Sequence, residues 1–238
     1  VKNLEVKVRT SVAAYHGYNY LLARENLTDH LEKKDKQGKI RQRLLKIRAK
    51  KVILATGALE RPLIFNNNDR PGIMLSSAIN KYADFYGVVC GQKTVFFTNN
   101  DSAYESAFCL HNKGIKVEAI IDIRDNSNSK IVKAVEDAGI KIHWSHTVVD
   151  TSGYKRLKNI SVMKLSNDGM SVTGNKIEIS CDCLGVSGGW TPAVHLFTQS
   201  GGKLSFDEEN KVFLPSKYPS EQISIGSCNG CLLYTSPS

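Results

Sequence analysis

Residues 94–122, TVFFTNNDSAYESAFCLHNKGIKVEAIID, decide how the rest of the chain is interpreted. The apolar run TVFFT predicts a buried strand, and KVEAIIDIR predicts a second one. Between them, the apolar residues of 102–113 recur at i, i+3 and i+4, as on one face of a helix. Asn100 or Asp101 is placed to cap this helix, and Gly114 is placed to end it. The stretch therefore predicts a β-α-β unit.

The same alternation continues along the chain. A second helix is predicted over Ser129–Ala138, ended by Gly139, and the strand IKIHWS follows it. Strands that alternate with helices at this spacing predict an α/β fold with a parallel, doubly wound sheet. From His146 to Ser187 the pattern changes to strands alone, which predicts an antiparallel meander whose last strand leaves the sheet domain.

Upstream of this core, alternating apolar residues in LEVKVRTSVAAYHGYNYLLARENL predict two or three strands in a meander. A polar loop then precedes a predicted strand pair, RLLKIRA and KVILATG. The second strand is a continuous apolar run that ends in Ala55-Thr56-Gly57, as a buried parallel strand does. A further helix is predicted over Ser76–Tyr86, stopped by Gly87.

The turn after TVFFT, Asn99–Ser102, contains no glycine. A dinucleotide-binding unit uses glycines there, for a tight turn and for close approach of the pyrophosphate to the helix N-terminus. Asp101 would also place a negative charge beside the phosphates. Asp122 stands where a ribose-binding acid belongs, or it simply caps a strand. We interpret the turn as part of a Rossmann-like domain that no longer binds nucleotide.

The composition is that of a globular protein with one large or two modest domains: 238 residues, 41% hydrophobic and 23% charged. No apolar run approaches the length of a membrane helix, and no leader opens the chain, so we expect a cytoplasmic protein without membrane contact. The net charge of +9 is concentrated at Lys33–Lys51 and Lys155–Lys158. Because no aromatic residues are interleaved there, we expect solvated loops and a basic protein-contact face rather than nucleic-acid binding.

Both ends of the sequence look cut. The chain starts at Val1 in strand-like sequence, and LLYTSPS resembles translated adaptor sequence. We expect an internal fragment, and we exclude 232–238 from the fold as a non-native tail.

Six cysteines are too few for a secreted disulfide framework. Cys228 and Cys231 form a CxxC that either acts as a redox pair or consists of ordinary thiols. The motif is isolated, which favours ordinary thiols. Cys181 and Cys183 are predicted to share one face of a strand, without partner ligands.

No catalytic or metal site can be argued from the remaining residues. His143 and His146 are predicted to point to opposite faces of a strand, and no ligand set lies beside them. His195 falls in a predicted short helix, and Trp190 and Phe197 are predicted core residues. We therefore assign no catalytic residue and no metal.

Four stretches together resemble one family in their order and spacing. They are ILATGALERPLIFNNNDRPGIMLSSA, VFFTNNDSAYESA, CDCLGVSGGWTPAVHLFTQSGGKL and SIGSCNG. Over about residues 5–230 the chain resembles the α subunits of heterotetrameric sarcosine oxidases, which are flavoproteins with two dinucleotide-binding domains. NNNDRPG and SGGWTPAVHLFTQSGGKL separate it from opine oxidases, hydrogen cyanide synthase and ferredoxin reductase-like enzymes.

The resemblance implies a Rossmann-like FAD/NAD(P)-binding architecture, in which a second dinucleotide-binding-like domain is inserted into an incomplete first one. The expected domains are 1–75 (first domain, lacking its N-terminal glycine-rich strand), 76–180 (inserted domain and meander), 181–231 (return to the first domain) and 232–238 (tail).

The resemblance also implies that the first domain holds NAD, where other relatives hold FAD. The cleft would be lined by Ala55, Thr56, Gly57, Gly226 and Ser227. A glycine residue at the end of a strand allows the backbone to approach a ligand closely.

The implied activity is that of an oxidoreductase acting on CH-NH donors with oxygen as acceptor. Sarcosine would be oxidised on FAD and FMN of the complex, catalytic flavins lying on another subunit, with tetrahydrofolate as co-substrate downstream. The implied partners are the other subunits and a small amine. Two alternatives stay open: an FAD/NAD(P)-dependent subunit of the opine oxidase or ferredoxin reductase type, and a non-enzymatic assembly module.

Overall fold

The computed structural model describes residues 3–219 and 221–232. The first segment contains β1 (Thr10–His16), β2 (Tyr20–Asn26), the one-turn helix α1 (Lys33–Lys36), β3 (Gln42–Arg48), β4 (Val52–Leu54) and β5 (Ala58–Glu60). The second contains β6 (Ile73–Leu75), α2 (Ser76–Phe85), β7 (Thr94–Thr98), α3 (Ser102–Asn112), β8 (Val117–Asp122), α4 (Lys130–Asp137) and β9 (Ile142–His143). Next come β10 (His146–Ser152), β11 (Asn159–Leu165), β12 (Val172–Ser180) and β13 (Cys183–Ser187). The last segment contains β14 (Trp190–Pro192), α5 (His195–Gln199), β15 (Lys203–Asp207), β16 (Val212–Lys217), β17 (Gln222–Ser224) and a 3₁₀ turn (Gly226–Asn229).

The described residues divide into two compact units. Unit 1 combines the chain up to Ala58 with Thr191–Cys231, and unit 2 is formed by Leu59–Trp190. The chain therefore leaves unit 1 within β5 and returns to it within β14.

The domain bounds expected from the sequence stay a prediction, because compactness does not define a folding domain. Those bounds are 1–75, 76–180 and 181–231. The expected tail, 232–238, lies outside the described residues apart from Leu232.

Unit 2 is built on a five-stranded parallel sheet with the order β6-β13-β7-β8-β9. This confirms the α/β class and the parallel sheet. Side chains alternate between the faces of a strand. Phe96 of β7 accordingly packs with Ala107 of α3 and Val132 of α4, whereas Val95 packs with Val162 of the antiparallel meander β10-β11-β12. Helices cover one face of the sheet and the meander covers the other, so the prediction of a doubly wound sheet is wrong within the described residues. The prediction that the last strand of the 146–187 segment leaves the sheet domain is also wrong, because β13 lies between β6 and β7.

Local sequence sets the helix ends in unit 2. The three predicted helices are confirmed to within one residue at each end, since α2, α3 and α4 span 76–85, 102–112 and 130–137. Ser129 caps α4 by accepting a hydrogen bond from Val132 N, and Gly114 follows α3 with φ +74°. No helix within residues 3–219 and 221–232 is both long and apolar enough to cross a membrane.

Unit 1 contains the antiparallel sheet β1-β2-β3 and a parallel pair, β4-β17. The meander predicted near the amino end is confirmed. The strand pair predicted between RLLKIRA and KVILATG is wrong, because β3 pairs with β2 and β4 pairs with β17. The two strands differ in character: β3 is largely exposed and suits an antiparallel edge, whereas the apolar run of β4 suits parallel pairing.

The β4-β17 pair is buried on one face. Val52 and Leu54 pack into a core with Tyr15 and Phe197. On the other face Ile53 is 65% exposed, and its cross-strand partner is exposed as well. The prediction of parallel pairing is confirmed for β4, but the prediction of burial on both faces is wrong within the described residues.

Candidate functional site

The five site residues predicted from the sequence lie at one edge of the β4-β17 pair. Because the two strands are parallel, their carboxyl ends meet, and Ile225 N donates to Leu54 O at 2.9 Å where the strands end. Ala55–Gly57 follow β4, and Gly226 and Ser227 follow β17 after Ile225. We call these two segments the open turns. Ligands in sheets of this class bind beyond the carboxyl ends of the strands, so the placement suits a binding site.

Glycine leaves the backbone of the open turns accessible. Gly57 has φ +74° and Gly226 has φ +67°, in the left-handed region that other residues rarely adopt. A Cβ built at either glycine would meet no atom within 4 Å. Ala55, Thr56 and Gly226 are exposed, while Gly57 and Ser227 are half-buried. A ligand can therefore approach both turns closely.

Two residues that the sequence analysis did not assign to the site hold the open turns in place. Thr56 Oγ1 donates to Ala193 O at 2.7 Å, and Ala193 N donates to Gly57 O at 2.9 Å. The buried Cys228 thiol donates to Leu54 O at 3.2 Å. Sequence patterns could not reveal these contacts, because each joins residues that are far apart in the chain.

The turn after β7, Asn99–Ser102, has a different design, and we call it the filled turn. Asn100 is buried, and its Oδ1 accepts from Ser102 N, the first backbone amide of α3, at 3.1 Å. Its Nδ2 donates to the main-chain oxygen and the hydroxyl of Ser187 at 3.2 and 3.0 Å. The helix N-terminus, where a phosphate would otherwise bind, is thus occupied by an amide of the same chain.

Charged residues at the end of β8 form a network that reaches Asp101 of the filled turn. Asp122 has no exposed surface. It accepts from Tyr104 Oη at 2.8 Å and from Arg124 Nη2 at 2.8 Å. Arg124 Nη2 also lies 2.8 Å from Asp101 Oδ1. Asp122 therefore bonds to protein groups at the position where a ribose-binding acid was one of the predicted alternatives.

The shifts in pKa follow from this network. Burial, with the Asp122 carboxylate and its hydrogen bond, raises the pKa of Tyr104 well above its ordinary value. Burial alone would lower the pKa of Arg124, but its bonds with Asp122 and Asp101 outweigh burial and hold that pKa high. Tyr104 stays a donor and Arg124 stays a cation, so the network persists across the physiological range. These bonds support the prediction that the filled turn holds no nucleotide.

The structure corrects the predicted placement of Cys181 and Cys183. The strand breaks between β12 and β13, so Cys181 lies in the core beside Val95, whereas Cys183 lies in the core beside Phe96. The two thiols are thus on opposite sides of the sheet. Burial raises the pKa of both to about 12, which keeps them protonated. All six cysteines are free.

The predicted placement of His143 and His146 on opposite faces is also wrong. Ser145 has φ +55° and interrupts the strand, so the two rings meet with centroids 5.5 Å apart. Burial, then Lys141 and His146, lowers the pKa of His143. In the described residues, no group of three or more His, Cys, Asp or Glu side chains is arranged to hold a metal ion.

Curated relatives carry one common name. The chain is 38% identical over 224 residues to sarcosine oxidase subunit alpha of Corynebacterium sp. (strain U-96), covering 94% of this chain and 23% of that protein. It is 34% identical over 215 residues to the protein of the same name from Rhizobium meliloti (strain 1021), covering 89% and 20%. The predicted resemblance is confirmed, and the chain spans less than a quarter of these relatives' length.

Solved structures share the fold. The thioredoxin reductase of T. acidophilum matches with a TM-score of 0.62 and 15% identity, covering 93% of this chain and 66% of that one. L-proline dehydrogenase from P. horikoshii matches with a TM-score of 0.58 and 20% identity, covering 92% and 36%. A family model described as pyridine nucleotide-disulphide oxidoreductase matches residues 12–223. Because that match spans most of the sequence, the chain belongs to the pyridine nucleotide-disulphide oxidoreductase family.

Proposed function

We propose that this chain is the dinucleotide-binding and scaffold segment of a sarcosine oxidase α subunit, with NAD bound at the open turns. The observation that carries the proposal is the contrast between the open space beside Gly57 and Gly226 and the occupied helix N-terminus of the filled turn. The name shared by its curated relatives supports the assignment to this enzyme.

The open turns suit a ligand that is held by backbone groups, as a dinucleotide is, better than a ligand that is held by many side chains. Within unit 1 they offer glycine Cα atoms with free space beside them, and Thr56 and Ser227 are the hydroxyl-bearing residues of the two turns. The backbone of Ala55–Gly57 and of Gly226 and Ser227 would hold the ligand. When bound, NAD supplies a nicotinamide ring able to carry a hydride.

The complex would oxidise sarcosine with oxygen and tetrahydrofolate to glycine, hydrogen peroxide and 5,10-methylenetetrahydrofolate. In this proposal amine oxidation takes place on FAD and FMN held elsewhere in a cytoplasmic hetero-oligomer. The present chain contributes NAD binding, the scaffold and contacts to other subunits. We assign no catalytic side chain to it.

The test is to purify the full-length parent polypeptide with its partner subunits, denature it, and identify the released nucleotides by mass spectrometry. One NAD per α subunit is the expected result. Release of FAD alone, together with rapid flavin bleaching by NADH or NADPH, would favour the reductase-type alternative. Release of no dinucleotide would favour the assembly module.

A matched pair of glycine variants assigns the bound NAD to the open turns. Gly57→Ala and Gly38→Ala place a methyl group at the same φ of +74°, and neither methyl would meet an atom within 4 Å. Both substitutions carry similar strain, about 1–2 kcal/mol. Only Gly57→Ala is expected to raise the Kd for NAD, by about tenfold, which corresponds to about 1.4 kcal/mol. Equal Kd values for the two variants in isothermal titration calorimetry would show that NAD does not bind at Gly57.

A further inference from the structure

The ends of β4 and β17 are joined at one carbonyl oxygen. Leu54 O accepts from Ile225 N at 2.9 Å and from the Cys228 thiol at 3.2 Å. Cys228 Sγ also lies 3.1 Å from Ile225 O, and the side chain is 1% exposed. The thiol thus links the residue before one open turn to the residue before the other.

The Ala55–Gly57 turn is held from a different direction. Thr56 is exposed, yet its hydroxyl donates to Ala193 O at 2.7 Å. Ala193 N returns a bond to Gly57 O at 2.9 Å. This reciprocal pair fixes both the side chain of Thr56 and the peptide between Gly57 and Ala58. The hydroxyl proton is therefore already engaged with the protein.

We propose that Thr56 and Cys228 are positioning residues, which fix the open turns so that the dinucleotide meets the backbone at Gly57 and Gly226. The inference rests on the proposed function, and it refines the role predicted for Thr56. The hydroxyl and the thiol donate to carbonyl oxygens of their own unit. The glycines, in contrast, have open space where a Cβ would stand.

This division of roles has a chemical consequence for the CxxC. The single hydrogen of the Cys228 thiol lies within reach of Leu54 O and Ile225 O, at sulfur-to-oxygen distances of 3.2 and 3.1 Å, and a disulfide with Cys231 would remove it. Cys228 is buried, whereas Cys231 is exposed. The structure therefore favours a packing and hydrogen-bonding role for Cys228.

The first test compares pairs of variants that keep or remove a donor, in the full-length protein. Cys228→Ala and Thr56→Val remove the donors and are expected to raise the Kd for NAD by about 3- to 10-fold each. Cys228→Ser and Thr56→Ser keep a hydroxyl and are expected to stay within about twofold of the wild type. Cys231→Ser, at the exposed end of the motif, is the control. Thr56 is exposed, so its variants remain informative if Cys228→Ala fails to fold.

The second test measures a property that a purely structural role would not change. Alkylation of buried Cys228 by iodoacetamide requires the turn to open, and NAD that binds the closed turn suppresses opening by a factor of 1 + [NAD]/Kd. At ten times the Kd, the alkylation rate of Cys228 is expected to fall about 11-fold. Exposed Cys231 is expected to react at an unchanged rate.

The outcomes separate the inference from the proposed function. If the wild-type protein retains no dinucleotide, the proposed function fails and the inference fails with it. If NAD binds but the donor-deleting variants bind it equally well, only the inference is overturned. An unchanged alkylation rate of Cys228 in saturating NAD would likewise overturn only the inference.

Discussion

Both units contain parallel strands that run into turns at their carboxyl ends, yet the turns differ in the groups that occupy them. In unit 1, the glycines of the open turns have open space where a Cβ would stand, and the Thr56 hydroxyl bonds to Ala193 O. In unit 2, the filled turn directs the amide of Asn100 onto its own helix N-terminus. The few residues that follow each strand therefore decide whether open space or a side chain of the same chain is found at the strand end.

The filled turn and the open turns differ in whether the polar groups at the strand ends are hydrogen-bonded within the protein. The filled turn satisfies Ser102 N, the Ser187 oxygens and Asp122 internally, so a ligand would have to displace bonds already made. At Gly57 and Gly226 of the open turns, in contrast, a built Cβ would meet no atom within 4 Å. Three predictions probe this comparison.

The largest effect is expected from Arg124→Ala. Asp122 is fully buried, and loss of its guanidinium partner leaves an uncompensated carboxylate beside Tyr104. Breaking a buried ion pair in this way is expected to lower the free energy of unfolding by about 3–5 kcal/mol. Thermal unfolding followed by near-UV circular dichroism checks this, and an unchanged midpoint would show that the network does not stabilise the turn.

Lys113→Ala is the matched control for that experiment. Lys113 Nζ lies 3.0 Å from Asp84 Oδ1, but both side chains are well exposed to solvent. Exposed ion pairs contribute about 0–1 kcal/mol, because water screens them. If Lys113→Ala lowers the free energy of unfolding as much as Arg124→Ala does, burial of the ion pair is not the reason for the large effect.

A smaller effect is expected from Asn100→Ala, which empties the filled turn without changing its charge. The substitution leaves Ser102 N and the Ser187 hydroxyl without their amide partner. We expect the free energy of unfolding to fall by about 1–3 kcal/mol, the cost of unsatisfied buried polar groups. Chemical denaturation checks the loss.

The same variant can break the comparison. The acidic side chains of Asp101 and Asp122 still lie beside the emptied turn, so we expect no measurable binding of NADH. Tight binding of NADH to Asn100→Ala in a fluorescence titration would show that the amide alone closes a nucleotide site. The filled turn and the open turns would then differ by one side chain only.

Much of the fold could be predicted because it depends on local signals. The helices of unit 2 follow apolar periodicity, and glycines such as Gly114 and Gly139 mark their ends. The parallel sheet follows from the alternation of strands and helices. The five site residues are assigned from the family resemblance, and the structure brings together the strand ends that they follow.

What could not be predicted depends on contacts between distant residues or on one dihedral angle. The bond from Cys228 to Leu54 spans 174 residues, so no spacing in the sequence reveals it. Ser145 adopts φ +55°, a conformation that cannot be predicted from a serine in the sequence. This conformation is the reason why the predicted placement of His143 and His146 on opposite faces is wrong. Likewise, Arg124 could not be recognised as the partner of Asp101 without the fold.

The smallest effect concerns His143, at the edge of the sheet that carries the filled turn. Burial, then Lys141 and His146, lowers its pKa in the folded state, so the unfolded chain binds a proton more readily. Stability is therefore unaffected well above the ordinary pKa of about 6.5 and falls as the pH drops through and below it. His143 lines a surface cleft together with further charged groups: Lys93, Lys116, Glu118, Lys141 and Glu178.

His143→Gln removes this proton linkage while keeping a polar side chain. The thermal midpoint of the wild type is expected to fall more than that of the variant between pH 7.5 and about 5.5, by a few degrees at most. His30→Gln, at an exposed loop position of unit 1, is expected to behave as the wild type does. If His143→Gln is instead the more acid-sensitive protein, protonated His143 stabilises the edge of this sheet.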